Sequence, residues 1–258
     1  MSNILNESLL NRLLEARRSG VAIDHVSAES LPGSTREAYA IADALVGALG
    51  LSPNGYKIGA NTARAQQMLG LREPLHGHTF AERTTTRIGR YDTQGGEAAV
   101  EAEIVLRLAR DLTGSLPNDT AGWRNAVGEI MLGIEINQPS YRDALATGGL
   151  AIIADNGVHA GLVLGPTRAV AELDRLVDAV LRLHVDGNEV LDGSARSAGV
   201  EPLQVLAWLA QERLTCGRPL RAGDLIASGA IVSRHALGRG AHIRVGIGDG
   251  IDCELVLA

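Results

Sequence analysis

Apolar residues at the start of the chain recur with the spacing of a helix. Leucine and isoleucine occupy positions 4, 5, 9, 10, 13 and 14, and Gly20 ends the run. This pattern predicts an amphipathic helix. A second helix is predicted to begin at Ser34, because Ser34 and Glu37 fit a capping box. Since Pro-Asn-Gly at 53–55 then breaks the pattern, we predict an N-terminal helical subdomain over residues 1–52 that packs on the rest.

After residue 53 the pattern changes to short apolar runs that are separated by glycine and rich in β-branched residues. Such runs predict strands, here at 56–60, 98–108, 128–136 and 157–165. Helices are predicted between them at 62–69, 120–126 and 201–214, and hairpins at 185–190 and around 248–250. Residues 53–258 are therefore predicted to form a β-rich core, and the chain to have the α+β class.

The composition and charge of the chain indicate which kinds of molecule it binds. The chain has 258 residues, of which 45% are hydrophobic and 21% charged, and its formal net charge is -6. This balance is typical of a folded globular protein, and an acidic chain does not attract nucleic acid or an anionic membrane. The first residues lack the features of a signal peptide, and the apolar runs are too short for a membrane span. We therefore predict a cytoplasmic protein with a small-molecule partner and neither nucleic-acid nor membrane binding.

Lys57 is distinctive because of what surrounds it. It is the sole lysine among 24 basic residues, so 24 minus 1 leaves 23 arginines. It also lies within the apolar segment Gly-Tyr-Lys-Ile-Gly-Ala, whereas a lysine ordinarily occupies a polar, exposed face. A functional role is therefore favoured over chance retention of a surface charge.

Two carboxylates share one predicted strand. Glu101 and Glu103 alternate with Val100, Ala102 and Ile104, and residues two apart in a strand point to the same face. Either solvent screens these like charges on an exposed face, or a cation lies between them. The spacing by itself leaves both alternatives open.

A third carboxylate favours the bound cation over solvent screening. Glu135 follows Glu103 by 135 minus 103, or 32, residues and has Ile134 and Ile136 on either side, which indicates a central strand. An uncompensated carboxylate in such a strand is strongly unfavourable, and a metal ion would remove that penalty. Three carboxylates without histidine or cysteine nearby in sequence form an all-oxygen site, which favours Mg²⁺ or Mn²⁺.

Five segments follow one another in an informative order. They are Gly55-Tyr56-Lys57-Ile58-Gly59, Val100-Glu101-Ala102-Glu103-Ile104, Gly133-Ile134-Glu135-Ile136, Ala154-Asp155-Asn156, and Pro219-Leu220-Arg221-Ala222-Gly223-Asp224 with Ser228-Gly229-Ala230. The series resembles the motifs of the 2-keto-4-pentenoate hydratase and 2-oxo-acid decarboxylase family, within the fumarylacetoacetate hydrolase superfamily. This resemblance implies a rolled, mixed β-sheet core with an N-terminal helical region, a homo-oligomer, and a divalent metal held by Glu101, Glu103 and Glu135.

The position of the lysine indicates the branch of this superfamily. Hydrolases that cleave carbon–carbon bonds resemble one another in a lysine downstream of the third acidic ligand, where this chain reads Ala154-Asp155-Asn156. Lys57 instead resembles the lysine of hydratases and decarboxylases. The resemblance implies hydration of a 2-hydroxydienoate such as 2-hydroxypenta-2,4-dienoate in aromatic catabolism, or alternatively decarboxylation of a 2-oxo acid of the 4-oxalocrotonate type. Lys57 is expected to have a lowered pKa and to transfer protons or orient the substrate.

One segment departs from the family pattern. Hydratases resemble one another in a Pro-Asp-aromatic-Gly segment whose aspartate is implicated in proton transfer, whereas this chain has Pro74-Leu75-His76-Gly77. His76 or His78 is therefore a candidate acid or base, since histidine titrates near neutrality, and a structural histidine is the alternative. Asp155 is a further candidate catalytic residue, with a turn or cap role before Asn156 as its alternative.

The candidate substrate-binding positions are Gly77, Asn156, Ser228 and Gly229. Ser228-Gly229 is expected to approach the substrate through backbone N–H groups, a common reason for glycine at a strand end. Two alternatives to an enzyme stay open, because Leu75 replaces the family acid. One is a catalytically silent scaffold that assists a pathway enzyme, and the other is a metal-dependent binding protein for small oxo acids.

Overall fold

The computed structural model describes residues 2–258, including the side chains of residues 8–188, 191–233 and 236–258. The α-helices are α1 Ser2–Ser19, α2 Thr35–Leu49, α3 Ala63–Leu69, α4 Thr120–Ala126, α5 Ala144–Thr147, α6 Gly149–Ala154, α7 Leu173–Asp178, α8 Ala195–Ala198 and α9 Pro202–Thr215. The strands are β1 Pro53–Gly59, β2 Leu75–Phe80, β3 Thr84–Thr86, β4 Ile88–Tyr91, β5 Ala98–Leu108, β6 Val127–Asn137, β7 His159–Leu164, β8 Leu181–Val185, β9 Asn188–Gly193, β10 Leu225–Ala227, β11 Val232–Leu237, β12 His242–Ile247 and β13 Cys253–Leu257.

Within residues 2–258 the strands form two mixed sheets. The larger has the order β2-β1-β10-β5-β6-β7-β3, with β11 also pairing with β5, and the smaller has the order β4-β13-β12-β8-β9. The pairs β1–β10, β3–β7 and β4–β13 are parallel and the other pairs are antiparallel. Together with the helices, these sheets confirm the predicted α+β class with a mixed β-sheet core.

Strands β5 and β6 form the centre of the larger sheet, and their alternation separates its two faces. The β-branched and small residues Val100, Ala102 and Ile104 are fully buried in the main hydrophobic core. Glu101 and Glu103 point to the opposite face, as the period of two in a strand requires. The register places Glu101 directly across from Glu135, so the three acidic residues belong to one face.

The N-terminal helices pack against the β-rich part. Leu13 of α1 and Leu45 of α2 share a hydrophobic cluster with Ile153 of α6 and Leu75 of β2. The predicted start of α2 is confirmed, since the Ser34 side chain accepts a hydrogen bond from the Glu37 backbone N–H, and the Glu37 carboxylate accepts one from the Gly33 N–H. The division into residues 1–52 and 53–258 stays a prediction, because this cluster crosses the boundary.

The long, strongly patterned elements match their predicted positions. Strand β5 and helix α4 have the predicted bounds, and β6 extends the predicted strand by one residue at each end. Strand β2 and helix α6 were not predicted, although both contribute to the surroundings of the site described below. None of the helices in residues 2–258 is long and apolar enough to cross a membrane.

Candidate metal and active site

The three glutamates converge on one small volume. Carboxylate oxygens of Glu101, Glu103 and Glu135 lie within 4.8 Å of one another. Glu103 and Glu135 are fully buried, whereas Glu101 keeps partial exposure. The three carboxylates therefore form a largely buried group in which Glu101 is the most exposed member.

The pKa shifts show how unfavourable this cluster is for the protein chain by itself. Burial and the neighbouring carboxylates Glu135 and Glu101 hold the pKa of Glu103 well above its usual range. Burial also raises the pKa of Glu101, with Glu135 adding to the effect and Lys57 opposing it. Buried like charges shift in this way when no cation lies between them, so a divalent ion would relieve the repulsion.

Lys57 lies beside the carboxylates. Its Nζ is 3.3 Å from Glu135 Oε2, and its side chain is only 4% exposed. Burial lowers the pKa of Lys57, but Glu135, Glu101 and Glu103 outweigh burial and raise it above its usual value. The expected lowering of the Lys57 pKa assumed burial and repulsion by a bound cation, and in the chain by itself the three nearby carboxylates reverse its direction.

The donor set fits a hard divalent cation. Glu103 Oε1 is buried and has no hydrogen-bond partner within the described residues, and the buried Glu135 Oε2 has the Lys57 ammonium 3.3 Å away as its ion-pair partner. Their companion oxygens are satisfied, because Glu103 Oε2 accepts from the Gly229 backbone N–H and Glu135 Oε1 pairs with His159 Nδ1. Buried carboxylate oxygens rarely lack a partner, so Glu103 Oε1 is oriented like a metal ligand, while Glu135 Oε2 already faces a positive charge.

His159 and Asn137 are polar residues of this site that sequence reasoning missed. His159 Nδ1 lies 2.8 Å from Glu135 Oε1, with both side chains fully buried. Asn137 is cross-strand from His159 and its side chain bonds to Glu101, which lowers the Glu101 pKa against the effect of burial. The available signal was a histidine at the start of the apolar run His-Ala-Gly-Leu-Val-Leu, where a polar residue needs a buried partner.

Comparison with known proteins identifies the family. Residues 57–255 match the fumarylacetoacetate (FAA) hydrolase C-terminal family. A 2-keto-4-pentenoate hydratase of Paraburkholderia phymatum is 32% identical over 234 residues, covering 87% of each chain. The TodF product hydratase of Pseudomonas putida is 32% identical over 241 residues, covering 85% of this chain and 82% of that one. The chain belongs to the 2-keto-4-pentenoate hydratase family of FAA hydrolases.

The solved structures confirm the fold of this family. A 4-oxalocrotonate decarboxylase from Pseudomonas putida G7, complexed with magnesium and adipate, superposes with a TM-score of 0.87 at 19% identity, covering 100% of this chain and 98% of that one. A fumarylpyruvate hydrolase from Pseudomonas aeruginosa, in complex with Mn²⁺ and pyruvate, gives a TM-score of 0.60 at 18% identity, covering 80% and 91%. At these identities the likeness shows the fold alone.

His76 does not lie with the other candidate catalytic residues of this hydratase-family chain. Strand β2 pairs His76 with Ile58 and Gly77 with Lys57, so the His76 side chain lies on the opposite face of the sheet from Lys57. There it stacks on Tyr39 and lies 3.2 Å from Glu212 of α9. The proposed acid or base role of His76 therefore lacks geometric support, and its structural alternative is favoured. His78 shares that face, near Asp43.

Asp155 has a structural environment. It is fully buried, and its carboxylate accepts hydrogen bonds from the backbone N–H and hydroxyl of Ser140 and from Arg17 of α1. Arg17 also donates to the backbone carbonyl oxygens of Asp155 and His159. Both Asp155 oxygens are thereby occupied, which contradicts a role as a free catalytic group and favours the structural alternative.

Asp155→Ala is expected to destabilise the chain by about 3–5 kcal/mol, because it leaves the buried Arg17 charge without its partner. Urea unfolding would measure the loss. Arg17→Ala should cost a similar amount, and the double variant should cost less than the sum of the two because both lose the same interaction. Full stability with abolished turnover in Asp155→Ala would instead assign Asp155 to the chemistry.

The four predicted substrate-binding positions surround the site, but three of them have structural partners. The Ser228 hydroxyl donates to the Ile104 carbonyl, and the Asn156 amide bonds both backbone groups of His78. Gly229 directs its N–H to Glu103 rather than to open space, at φ +103 where a Cβ would lie 2.3 Å from Asn61. The Ser228 backbone N–H also donates to the Ile104 carbonyl, so both backbone N–H groups that were predicted to approach the substrate have partners within the protein.

At Gly77, which is paired with Lys57, strand β2 passes close to the backbone of Asn156. A Cβ at Gly77 would lie 2.2 Å from the Asn156 carbonyl oxygen, so no side chain fits between β2 and this loop. Leu75, two residues earlier on the same face, is fully buried and packs near Gly157, which also contacts the Lys57 side chain. Where the family pattern has an acid, the site therefore has an apolar wall next to Lys57.

Proposed function

We propose that this chain is a divalent-metal-dependent lyase that adds water to a 2-hydroxydienoate such as 2-hydroxypenta-2,4-dienoate. The observation that carries the proposal is the buried group of Glu101, Glu103 and Glu135 with Lys57 Nζ 3.3 Å from one of their oxygens. The family's curated relatives are named hydratases, which supports this reaction.

The three carboxylates are proposed to hold Mg²⁺ or Mn²⁺, because an all-oxygen donor set suits these ions. Solved structures of the same fold are complexed with magnesium, calcium or Mn²⁺, which supports a divalent ion. When bound, such an ion supplies an electron sink for a 2-oxo acid. A substrate is proposed to enter on the side of Glu101, the partly exposed carboxylate.

Lys57 is proposed to move the proton in this reaction. Hydration of a dienoate requires a proton to reach a carbon atom and a water to lose one, and a group at the substrate must carry each proton. Lys57 is the charged donor next to the carboxylates, and the surrounding burial excludes bulk water. The ammonium also balances part of the negative charge that a carboxylate substrate brings.

Decarboxylation is a second candidate function, and Leu75 favours it. Loss of CO₂ breaks one carbon–carbon bond, and its electron pair enters the conjugated oxo system until a single proton returns to carbon. Water addition releases no CO₂; it also delivers a proton to carbon, and it requires in addition a group that takes a proton from the attacking water. Leu75 provides an apolar wall where hydratases of the family have an acid, so the chain has one proton-transferring group fewer on this side.

An assay of the purified chain with Mg²⁺ or Mn²⁺ would decide between the two reactions. The substrates are 2-hydroxypenta-2,4-dienoate, 4-oxalocrotonate and oxaloacetate. Loss of dienoate absorbance without CO₂ release is expected for the hydratase, and CO₂ release from 4-oxalocrotonate for the decarboxylase. Metal-dependent binding with neither product would leave only a scaffold or binding protein. The homo-oligomeric state, a complex with a pathway enzyme and the cytoplasmic location stay predictions.

A further inference from the structure

Each of the two fully buried glutamates has one oxygen already occupied by the protein. Glu103 Oε2 accepts the Gly229 N–H at 2.9 Å, and Glu135 Oε1 lies 2.8 Å from His159 Nδ1. The other oxygen of Glu103 has no hydrogen-bond partner among the described residues, and the other oxygen of Glu135 lies 3.3 Å from Lys57 Nζ, its ion-pair partner. The protein therefore presents one oxygen of Glu103 without a partner and one oxygen of Glu135 that faces only the Lys57 ammonium.

The His159 side chain is directed at Glu135 alone. A carboxylate only accepts hydrogen bonds, so Nδ1 is the donor, and Nε2 has no partner within the described part of the chain. The backbone of His159 is held in place, because His159 begins strand β7 and its carbonyl oxygen accepts from Arg17 Nη1 at 2.7 Å. A histidine whose one side-chain hydrogen bond goes to a candidate metal ligand orients that ligand.

The number of oxygens that each carboxylate offers affects the choice of metal. Ca²⁺ takes six to eight oxygen ligands and often binds both oxygens of a carboxylate, whereas Mg²⁺ requires a near-octahedral set of six. Three carboxylates that give one oxygen each would fill about half of an octahedral set, and leave the rest for substrate and water. Occupied second oxygens therefore favour the smaller ion.

We propose that His159 is a positioning residue that keeps Glu135 a one-oxygen ligand and so makes the site select Mg²⁺ over Ca²⁺. The inference rests on the proposed function, because it needs a cation at the three glutamates. It goes beyond that function in assigning metal selectivity to a residue that contacts Glu135 and is not one of the three proposed ligands. The Gly229 N–H has the same effect on Glu103, but only the His159 contact can be removed by substitution of a side chain.

Calorimetric titration of the full chain with Mg²⁺ alone and with Ca²⁺ alone tests the inference. His159→Ala and His159→Leu both remove the donor, and the pair is used because they differ in how much of the buried space they fill. Each should weaken Mg²⁺ binding by about 10-fold or more and change Ca²⁺ binding much less, so the Mg²⁺ preference falls. His159→Asn retains an N–H donor and should restore the preference.

A matched control separates this role from a general effect of losing a buried histidine. His76→Asn also replaces a buried histidine, but on the opposite face of the sheet, and it should leave the ratio of the two affinities unchanged. If the folded donor-free variants keep the wild-type ratio, or lose both affinities equally, the inference is wrong and the proposed function stands. If wild type binds neither ion at millimolar concentration, the proposed function itself fails.

Discussion

Lys57→Met is expected to lower kcat by about 10²–10⁴-fold, the range that a positioned proton donor contributes. Methionine is unbranched like lysine and one heavy atom shorter, and it has neither a charge nor a proton to transfer. Because the raised pKa of Lys57 arises from Glu135, Glu101 and Glu103 against the effect of burial, removing the ammonium also removes a competitor for the cation. Mg²⁺ binding by the variant should therefore be retained or tightened while turnover is lost.

Lys57→Arg is the control that separates charge from proton transfer. Arginine retains the positive charge but does not give up its proton near neutral pH. If Lys57 only balances charge, the arginine variant should recover much of the turnover, whereas a proton-transfer role predicts that both variants stay slow. Wild-type kcat in a folded Lys57→Met chain, checked by circular dichroism and Mg²⁺ titration, would remove Lys57 from the reaction.

The three glutamates could be predicted from the sequence because the pattern of apolar residues around each of them is local. Glu101 and Glu103 alternate with apolar residues, and that alternation fixes their common face wherever the strand lies. The isoleucines that flank Glu135 indicate a central strand in the same way. The antiparallel register that sets Glu135 across from Glu101 is a long-range property, so only the family resemblance connected these two parts of the chain beforehand.

The remaining polar residues were misassigned because their partners are distant in sequence. Strand β2 reads Leu-His-Gly-His-Thr-Phe, a pattern without clean alternation, and its face depends on pairing with β1. A shift of one residue would move His76 to the face of Lys57. Asp155 depends on Arg17, 138 residues away, and no local signal marks that ion pair. His159 was overlooked for the same reason.

Glu103→Gln is expected to have opposite effects on the metal-free and metal-loaded chain. Glutamine keeps the shape and still accepts the Gly229 N–H, but it removes one of three crowded buried charges. The metal-free variant should therefore be more stable than wild type by about 1 kcal/mol or more, which is about 2–4 °C in a chain of this size. Wild type at 100 times its Kd should gain about 2.7 kcal/mol from Mg²⁺, and the variant should lose most of this gain.

The raised pKa of Glu103 determines at which pH Glu103→Gln is more stable than wild type. Burial and the neighbouring carboxylates raise the folded-state pKa of Glu103 above its usual value, so the folded state binds the proton more tightly than the unfolded state. Glu103 therefore does not destabilise the folded state below the usual carboxyl pKa. Its destabilising effect grows as the pH rises from there toward the raised pKa of the folded state. The advantage of Glu103→Gln should therefore be present at neutral pH and vanish near pH 4.

Glu129→Gln is the matched control for Glu103→Gln, since Glu129 lies on the same strand as Glu135 but is half exposed and pairs with Arg107. It should change neither the metal-free unfolding temperature nor the response to Mg²⁺, because exposed ion pairs contribute little. Thermal unfolding of both variants at neutral and acid pH, with and without Mg²⁺, provides the measurement. A metal-free Glu103→Gln chain less stable than wild type at neutral pH would show that the three carboxylates do not repel, and the physical reason for a cation between them would be lost.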